Sequence, residues 1–138
     1  IVARTDARGV EGLEAAIDRS KAYVQAGADG IFPEGLASEE EFAAFRAALP
    51  GVPLLANMTE FGKTPLITAS QFQDLGYEMV IFPVTALRVM LKAIDDFYED
   101  LLRDGTQAGW MEKMRTRAEL YERIDYADYT ARDEQWSS

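Results

Sequence analysis

Four places in this sequence bring together side chains that can bind or polarise oxygen. Arg4 stands two residues before Asp6 in "ARTDA", Glu34 follows a proline in "GIFPEG", Asn57, Met58, Thr59 and Glu60 run together in "LLANMTEFG", and Arg88 closes "FPVTALR". Guanidinium groups, joined by an amide and a hydroxyl, grip carboxylates or phosphonates through charge-assisted hydrogen bonds. The chain contains no His and no Cys, which removes the commonest general base and metal ligand together with any thiolate chemistry or disulfide frame. Carboxylates, Arg, Asn, Thr and Tyr are left to do the work. Each candidate also has an ordinary structural reading. Arg4 could pair with Asp6 or Glu34, Glu34 could cap a helix, Asn57 and Thr59 could close a loop onto its own backbone, and Arg88 could be a surface charge. Four separate explanations at four separate places are less economical than one shared site for a small ligand bearing carboxylates or a phosphonate.

The elements that must position these residues follow from hydropathy. Four short apolar runs, "IVAR" (1–4), "GIFPE" (30–34), "PLLAN" (53–57) and "MVIFP" (79–83), recur through the first part of the chain. Their continuous hydrophobicity predicts strands of a parallel sheet, buried on both faces. Between them lie helical patterns: residues 11–26 with Leu13, Ile17, Ser20 and Val24 on one face and Gly27 as C-cap; "SEEEFAAFRAAL" with Ser38 as N-cap, Glu41 three residues on, and Phe42, Phe45 and Leu49 as its stripe; Ala69–Leu75; and Thr85–Asp104, closed by Gly105. Glu39, Glu40 and Glu41 are consecutive helix positions that point in different directions, so they cannot chelate together. After residue 105 the strands stop, and "GWMEKMRTRAELYERI" and "DYADYTARDEQW" read as helices rich in Tyr and in charges of both signs. The organisation expected is a unit of four βα repeats, residues 1–105, and a helical segment, residues 106–138.

Repeated βα units leave a doubly wound open sheet or a (β/α)8 barrel. The glycine-rich phosphate loop of a dinucleotide-binding sheet is missing, since the glycines after the first run fall at 9 and 12. The barrel is therefore the expectation, and its ligands bind at the C-terminal ends of the strands, where all four candidate places lie. A whole barrel takes roughly 200 to 250 residues, so this chain reads as the C-terminal half of one, and its opening in mid-strand without a Met reads as a fragment. On that reading Ile1, Ile31, Phe32, Leu54, Leu55, Val80 and Ile81 face inward and lack the opposite wall. The net charge of −10 repels nucleic acid and anionic membrane surfaces, and with neither a membrane span nor a signal peptide visible in the sequence, the cytoplasm is the expected compartment.

The same stretches carry a resemblance. "ARTDA" (3–7), "GADGIFPEG" (27–35), "LLANMTEFGKTP" (54–65), "GYEMVIFPVTALR" (76–88) and "DGTQ" (104–107) followed by "MRTRAELYERIDY" (114–126) are similar to the second half of the isocitrate lyase/phosphoenolpyruvate mutase superfamily, in the superfamily's own order. The resemblance implies a (β/α)8 barrel in a tetramer whose last helices are exchanged with a neighbouring subunit. It implies Mg2+-dependent retro-aldol cleavage of 2-methylisocitrate to pyruvate and succinate, in the methylcitrate route of propionate breakdown. By position it places Arg4 and Glu34 at the metal-and-pyruvate end, and Asn57, Met58, Thr59 and Arg88 at the succinate end, with Arg117 completing the carboxylate contacts. Glu34 would reach Mg2+ through water, and the metal's direct ligands and the general acid would belong to the half not present. Two other readings stay open: another member of the superfamily, acting on isocitrate or a phosphonate, or a half-barrel that serves as an interaction module without catalysis.

Overall fold

In the computed structural model, which describes residues 1–137, the chain divides into two compact units, Ile1–Met90 and the stretch from Leu91 onward. The first holds β1 (Val2–Thr5), α1 (Ala7–Glu11), α2 (Leu13–Gln25), β2 (Gly30–Pro33), α3 (Glu39–Ala48), β3 (Leu55–Asn57), α4 (Ala69–Asp74) and β4 (Met79–Ile81). The long helix α5 (Thr85–Asp104) runs across the division, and a 3-10 turn (Ala108–Lys113), α6 (Arg117–Arg123) and α7 (Tyr126–Trp136) follow.

Both strand pairs are parallel: β1 lies beside β2 with Arg4 opposite Phe32, and β3 beside β4 with Asn57 opposite Ile81. A parallel bridge between Ile31 and Leu54 joins the pairs, so the spatial order is the chain order. Side chains alternate across these strands. Ile31, Leu54, Ala56 and Met58 point to one side and are buried with Ala16 of α2, Phe42 and Phe45 of α3, and Phe72 of α4. Phe42, Phe72 and Tyr77 meet edge-on or tilted, with ring centroids 4.9 to 5.6 Å apart, arrangements that aromatic quadrupoles favour. The opposite face carries Arg4, Phe32, Glu34, Leu55, Asn57 and Ile81, none of them buried. Sequential order without reversal, and helices on a single face, make a barrel wall and not a doubly wound sheet.

Three expectations need correction. The helix expected over residues 11–26 is shorter, α2 at Leu13–Gln25: Gly12, at a φ of 95 that L-residues avoid, stands as its N-cap, and Glu11 instead closes the short α1, which the sequence pattern does not foreshadow. The inward set holds only in part: Phe32, Leu55 and Ile81 do take the face away from the helices, whereas alternation puts Ile31 and Leu54, fully buried, beneath the helices with Val80 packed against them. "GWMEKMRTRAELYERI" breaks into the 3-10 turn and α6, the latter opened by a reciprocal capping box between Thr116 and Glu119.

At the N-terminal ends of the strands Arg46 acts as a clamp. Its Nη1 donates to the Gly76 carbonyl at 2.9 Å and to Glu78 Oε1 at 3.2 Å, and its Nη2 donates to the carbonyls of Val52, at 2.8 Å, and Leu49. Glu78 in turn accepts the Leu54 N–H at 2.8 Å. Gly76 is at φ 82, and a Cβ there would stand 2.9 Å from Arg46 Cδ.

Candidate functional site

β1 ends one residue before Asp6, and that brief extension lets Arg4 fold back on it. Arg4 Nε donates to Asp6 Oδ2 at 2.9 Å and Nη2 to Oδ1 at 2.8 Å, a two-pronged pair that raises the guanidinium pKa and lowers that of the carboxyl. The same guanidinium lies 3.5 Å from Glu34 Oε2 and 5.0 Å from the centre of the Phe32 ring. Glu34 follows β2 directly; its backbone N–H donates to the Thr5 carbonyl at 3.0 Å, which ties the ends of β1 and β2 together. From β3, Asn57 Nδ2 donates to Glu34 Oε2 at 3.1 Å. Asn57 Oδ1 is buried and has no hydrogen-bond partner. An orphaned buried carbonyl oxygen costs free energy unless something donates to it.

A second cluster forms around Glu60. Its carboxylate accepts from the Thr85 hydroxyl and, at 2.5 Å, from Arg88 Nη1, which also donates to the Glu60 carbonyl at 3.2 Å. The Thr85 hydroxyl, then the backbone amide, and after these Arg88, hold the Glu60 carboxyl below its usual range. Arg88 also stands 5.4 Å from the ring centre of Phe61, a residue at φ 62 with its side chain almost wholly in solvent. Positive φ in an aromatic residue is uncommon and marks a constrained turn.

The structure therefore joins Arg4, Glu34 and Asn57, and ties Arg88 to the loop that follows Asn57 and Thr59. Met58 is different: its side chain belongs to the core, with its sulfur accepting the Ile67 N–H at 3.3 Å and its own N–H donating to the Ile81 carbonyl at 2.8 Å. Alternation puts it on the helix side of β3, so its side chain is not part of the polar face. Arg117 opens α6 in the second unit, where it is exposed. The ordinary reading of Arg4 as an ion-paired residue holds as well, and Arg88, on its ordinary reading a surface charge, is exposed but paired with Glu60. Sequence reasoning missed Phe32 beneath Arg4 and gave no role to Glu60. Phe32 could have been found from its position two residues before Glu34 on one strand.

For Mg2+, a hard cation that prefers oxygen and retains water, the donor set fits in part. Glu34 offers a carboxylate and Asn57 an unpartnered carbonyl oxygen, both suited to hydrogen-bonding metal-bound water. No three acidic side chains gather at one point among the described residues.

The class that fold and site define is a portion of a (β/α)8 barrel, four βα units with a polar face at the C-terminal strand ends. The chain belongs to the phosphoenolpyruvate phosphomutase family, whose model matches residues 1–102. Proteins named 2-methylisocitrate lyase from Aeropyrum pernix and Bacillus subtilis are 56% and 55% identical to it over 133 residues, 96% of this chain. The chain spans 43% and 44% of their lengths. The crystal structure of 2,3-dimethylmalate lyase, a PEP mutase/isocitrate lyase superfamily member, superposes with a TM-score of 0.88 at 34% identity, over 99% of this chain and 45% of that one. Phosphonopyruvate hydrolase in complex with oxalate and Mg2+ superposes with a TM-score of 0.81 at 24% identity, over 99% of this chain and 49% of that one, a likeness of fold.

Among the described residues no helix is long and apolar enough to cross a membrane.

Proposed function

We propose that this chain is the C-terminal portion of a Mg2+-dependent carbon–carbon lyase that cleaves 2-methylisocitrate to pyruvate and succinate, the activity expected in the methylcitrate route. The observation that carries the reading is the contact of Arg4, Glu34 and Asn57 across three strand ends, in a chain 55–56% identical to proteins named for that activity. Cleavage removes the proton of the substrate hydroxyl, breaks the bond between the hydroxyl carbon and its neighbour, and leaves an electron pair on the succinyl fragment, which then takes a proton. Charge grows on carboxylate oxygens, so fixed cations and donors aimed there lower the barrier. Arg4 holds the oxygens of the pyruvyl fragment, with Glu34 orienting water beside them. Asn57, Thr59 and Arg88 hold the succinyl carboxylate, and Arg117 adds a further contact. Met58 serves by packing, which keeps Asn57 and Thr59 on the polar face. Bound Mg2+ supplies Lewis-acid polarisation of the substrate oxygens.

The working form is a homo-oligomer, a tetramer in this reading, with the segment 106–138 exchanged between subunits in the cytoplasm. In support, Leu91, Ile94, Tyr98, Leu102, Tyr121 and Tyr126 are exposed, and apolar surface of that kind is usually covered by a partner. The function is tested by offering 2-methylisocitrate, isocitrate and phosphonopyruvate to a full-length protein carrying this chain. The expected result is pyruvate and succinate in equal amounts from the first substrate, abolished by chelation of the metal. Turnover of phosphonopyruvate in preference would move the protein to another member's reaction, and no turnover of any substrate would favour the interaction module.

A further inference from the structure

Arg8 and Glu41 form a two-pronged ion pair in the first unit, and neither is hydrogen-bonded to Arg4, Glu34, Asn57 or Arg88. Arg8 Nε donates to Glu41 Oε2 at 2.8 Å and Nη2 to Oε1 at 2.6 Å. The side chains are 27% and 19% exposed, much better shielded than the Arg4–Asp6 pair at 51% and 63%. Glu41 Oε2 also accepts the Ala37 N–H at 2.8 Å. That contact replaces the capping box expected at α3: Ser38 Oγ accepts the Glu41 N–H at 3.4 Å, but the Glu41 side chain reaches to Ala37 and Arg8 and not back to Ser38.

The placement of the pair is what gives it a role. Arg8 sits on α1, which directly follows the Arg4–Asp6 corner, and Glu41 grips Ala37 in the loop that directly follows Glu34. The pair thus bridges 33 residues of sequence and fastens the β1 corner to the β2 loop from outside the polar face. Inside that face the two loops meet through the Arg4–Glu34 contact at 3.5 Å. A guanidinium and a carboxylate that share two parallel hydrogen bonds constrain both distance and orientation. We infer that Arg8 and Glu41 are positioning residues, which set Glu34 against Arg4 and Asn57 by holding the loop Gly35–Ser38 to α1. Groups behind a reactive or metal-facing carboxylate commonly matter through orientation alone.

The activity arm of the test rests on the lyase reading, and a second arm does not. Arg8→Lys keeps the charge but cannot make the two-pronged pair, and Glu41→Gln keeps an acceptor for Ala37 while removing the charge. In a full-length protein carrying this chain, amide hydrogen exchange is expected to rise about tenfold or more at Gly35–Ser38 in both variants and to stay unchanged at Leu55–Asn57. On 2-methylisocitrate, kcat is expected to fall about 10- to 100-fold with KM nearly constant and a higher Mg2+ concentration for half-activity. The Arg8→Glu/Glu41→Arg double variant is expected to recover part of both losses. Exchange that rises evenly across the first unit, with a lowered Tm and unchanged kcat, would show a stabilising pair and overturn the inference, as would an unaltered loop. A wild-type protein that leaves 2-methylisocitrate intact would sink the lyase reading alone, and the local exchange would still decide whether the pair sets the loop.

Discussion

At the N-terminal ends of the strands Arg46 is satisfied chiefly by backbone: three carbonyls and one carboxylate take its donors, and its side chain is 18% exposed. At the C-terminal ends Arg4 and Arg88 are satisfied chiefly by the carboxylates of Asp6, Glu34 and Glu60, with the Glu60 carbonyl as one further acceptor for Arg88, and they remain 51% and 41% exposed. Carbonyls of the main chain cannot leave their places without unfolding it, whereas a side-chain carboxylate can yield to the carboxylate of a ligand of the same geometry. On the proposed lyase reading, Arg46 serves stability, and Arg4 and Arg88 serve exchange with the ligand. The difference agrees with the division of labour in (β/α)8 barrels, where chemistry sits at one rim and stability at the other.

The sharpest break of this comparison comes from the exchangeable arginines. Arg88→Ala in a full-length protein carrying this chain is expected to lower kcat/KM on 2-methylisocitrate by about 30- to 1,000-fold, the range for losing a charge-assisted contact made to the reacting molecule. Thermal unfolding should barely change. An effect below about threefold would make Arg88 a surface partner of Glu60 and nothing more.

The fixed arginine should behave in the opposite way. Arg46→Ala removes the side-chain donor from the carbonyls of Gly76 and Val52 and leaves that of Leu49 only its bond from the Val52 N–H; it is expected to cost about 2–4 kcal/mol of folding stability, read as a shift in the urea midpoint, with kcat near wild type at low temperature. Gly76→Ala probes the same clamp more gently. Its positive φ and the approach to Arg46 Cδ should cost about 1–2 kcal/mol, and unchanged stability would mean that Arg46 moves aside without loss.

The smallest effect expected is one of pH, at the Arg8–Glu41 pair that joins the β1 corner to the β2 loop. The hydrogen bond from Arg8 holds the Glu41 carboxyl below its usual range, burial opposes this, and the Ala37 amide assists. A carboxyl whose folded pKa is depressed gives stability that is present above its unfolded value, about 4.3, and is lost as pH falls through the lower folded value. Protection of the Ala37 amide, corrected for the intrinsic exchange rate, should thus be constant from neutral pH to about 5 and decline below about 4. Protection that is flat down to unfolding would contradict the assignment.

Much of this contrast could be read from the sequence, and some of it could not. Short apolar runs ended by Arg4, Glu34 and Asn57 announced parallel strands with polar ends, because burial on both faces and a helical crossover leave that pattern. The same continuity hid which residues face the helices. Ile31 and Phe32 are equally apolar, and only the strand's rotation against α3 decides that Ile31 is buried. Gly12 gave no sign of closing a helix before it, since a glycine early in an amphipathic run also fits an N-cap. The Arg8–Glu41 pair was invisible for a related reason: charges 33 residues apart are brought together by the closing of β1 on β2, which no local pattern encodes. The tail misled through its capping box, as Thr116 and Glu119 sit inside what periodicity alone joins into one helix.

The most direct test sets Arg4→Lys beside Arg46→Lys in a full-length protein carrying this chain, with kcat/KM on 2-methylisocitrate measured at a temperature where both variants are fully folded. The account predicts that Arg4→Lys loses about tenfold or more in kcat/KM while its Tm stays within about 2 °C of wild type, and that Arg46→Lys loses Tm while keeping its kcat/KM. If Arg4→Lys retained full activity, or fell in Tm as far as Arg46→Lys, the separation of an exchangeable rim from a fixed one would be contradicted.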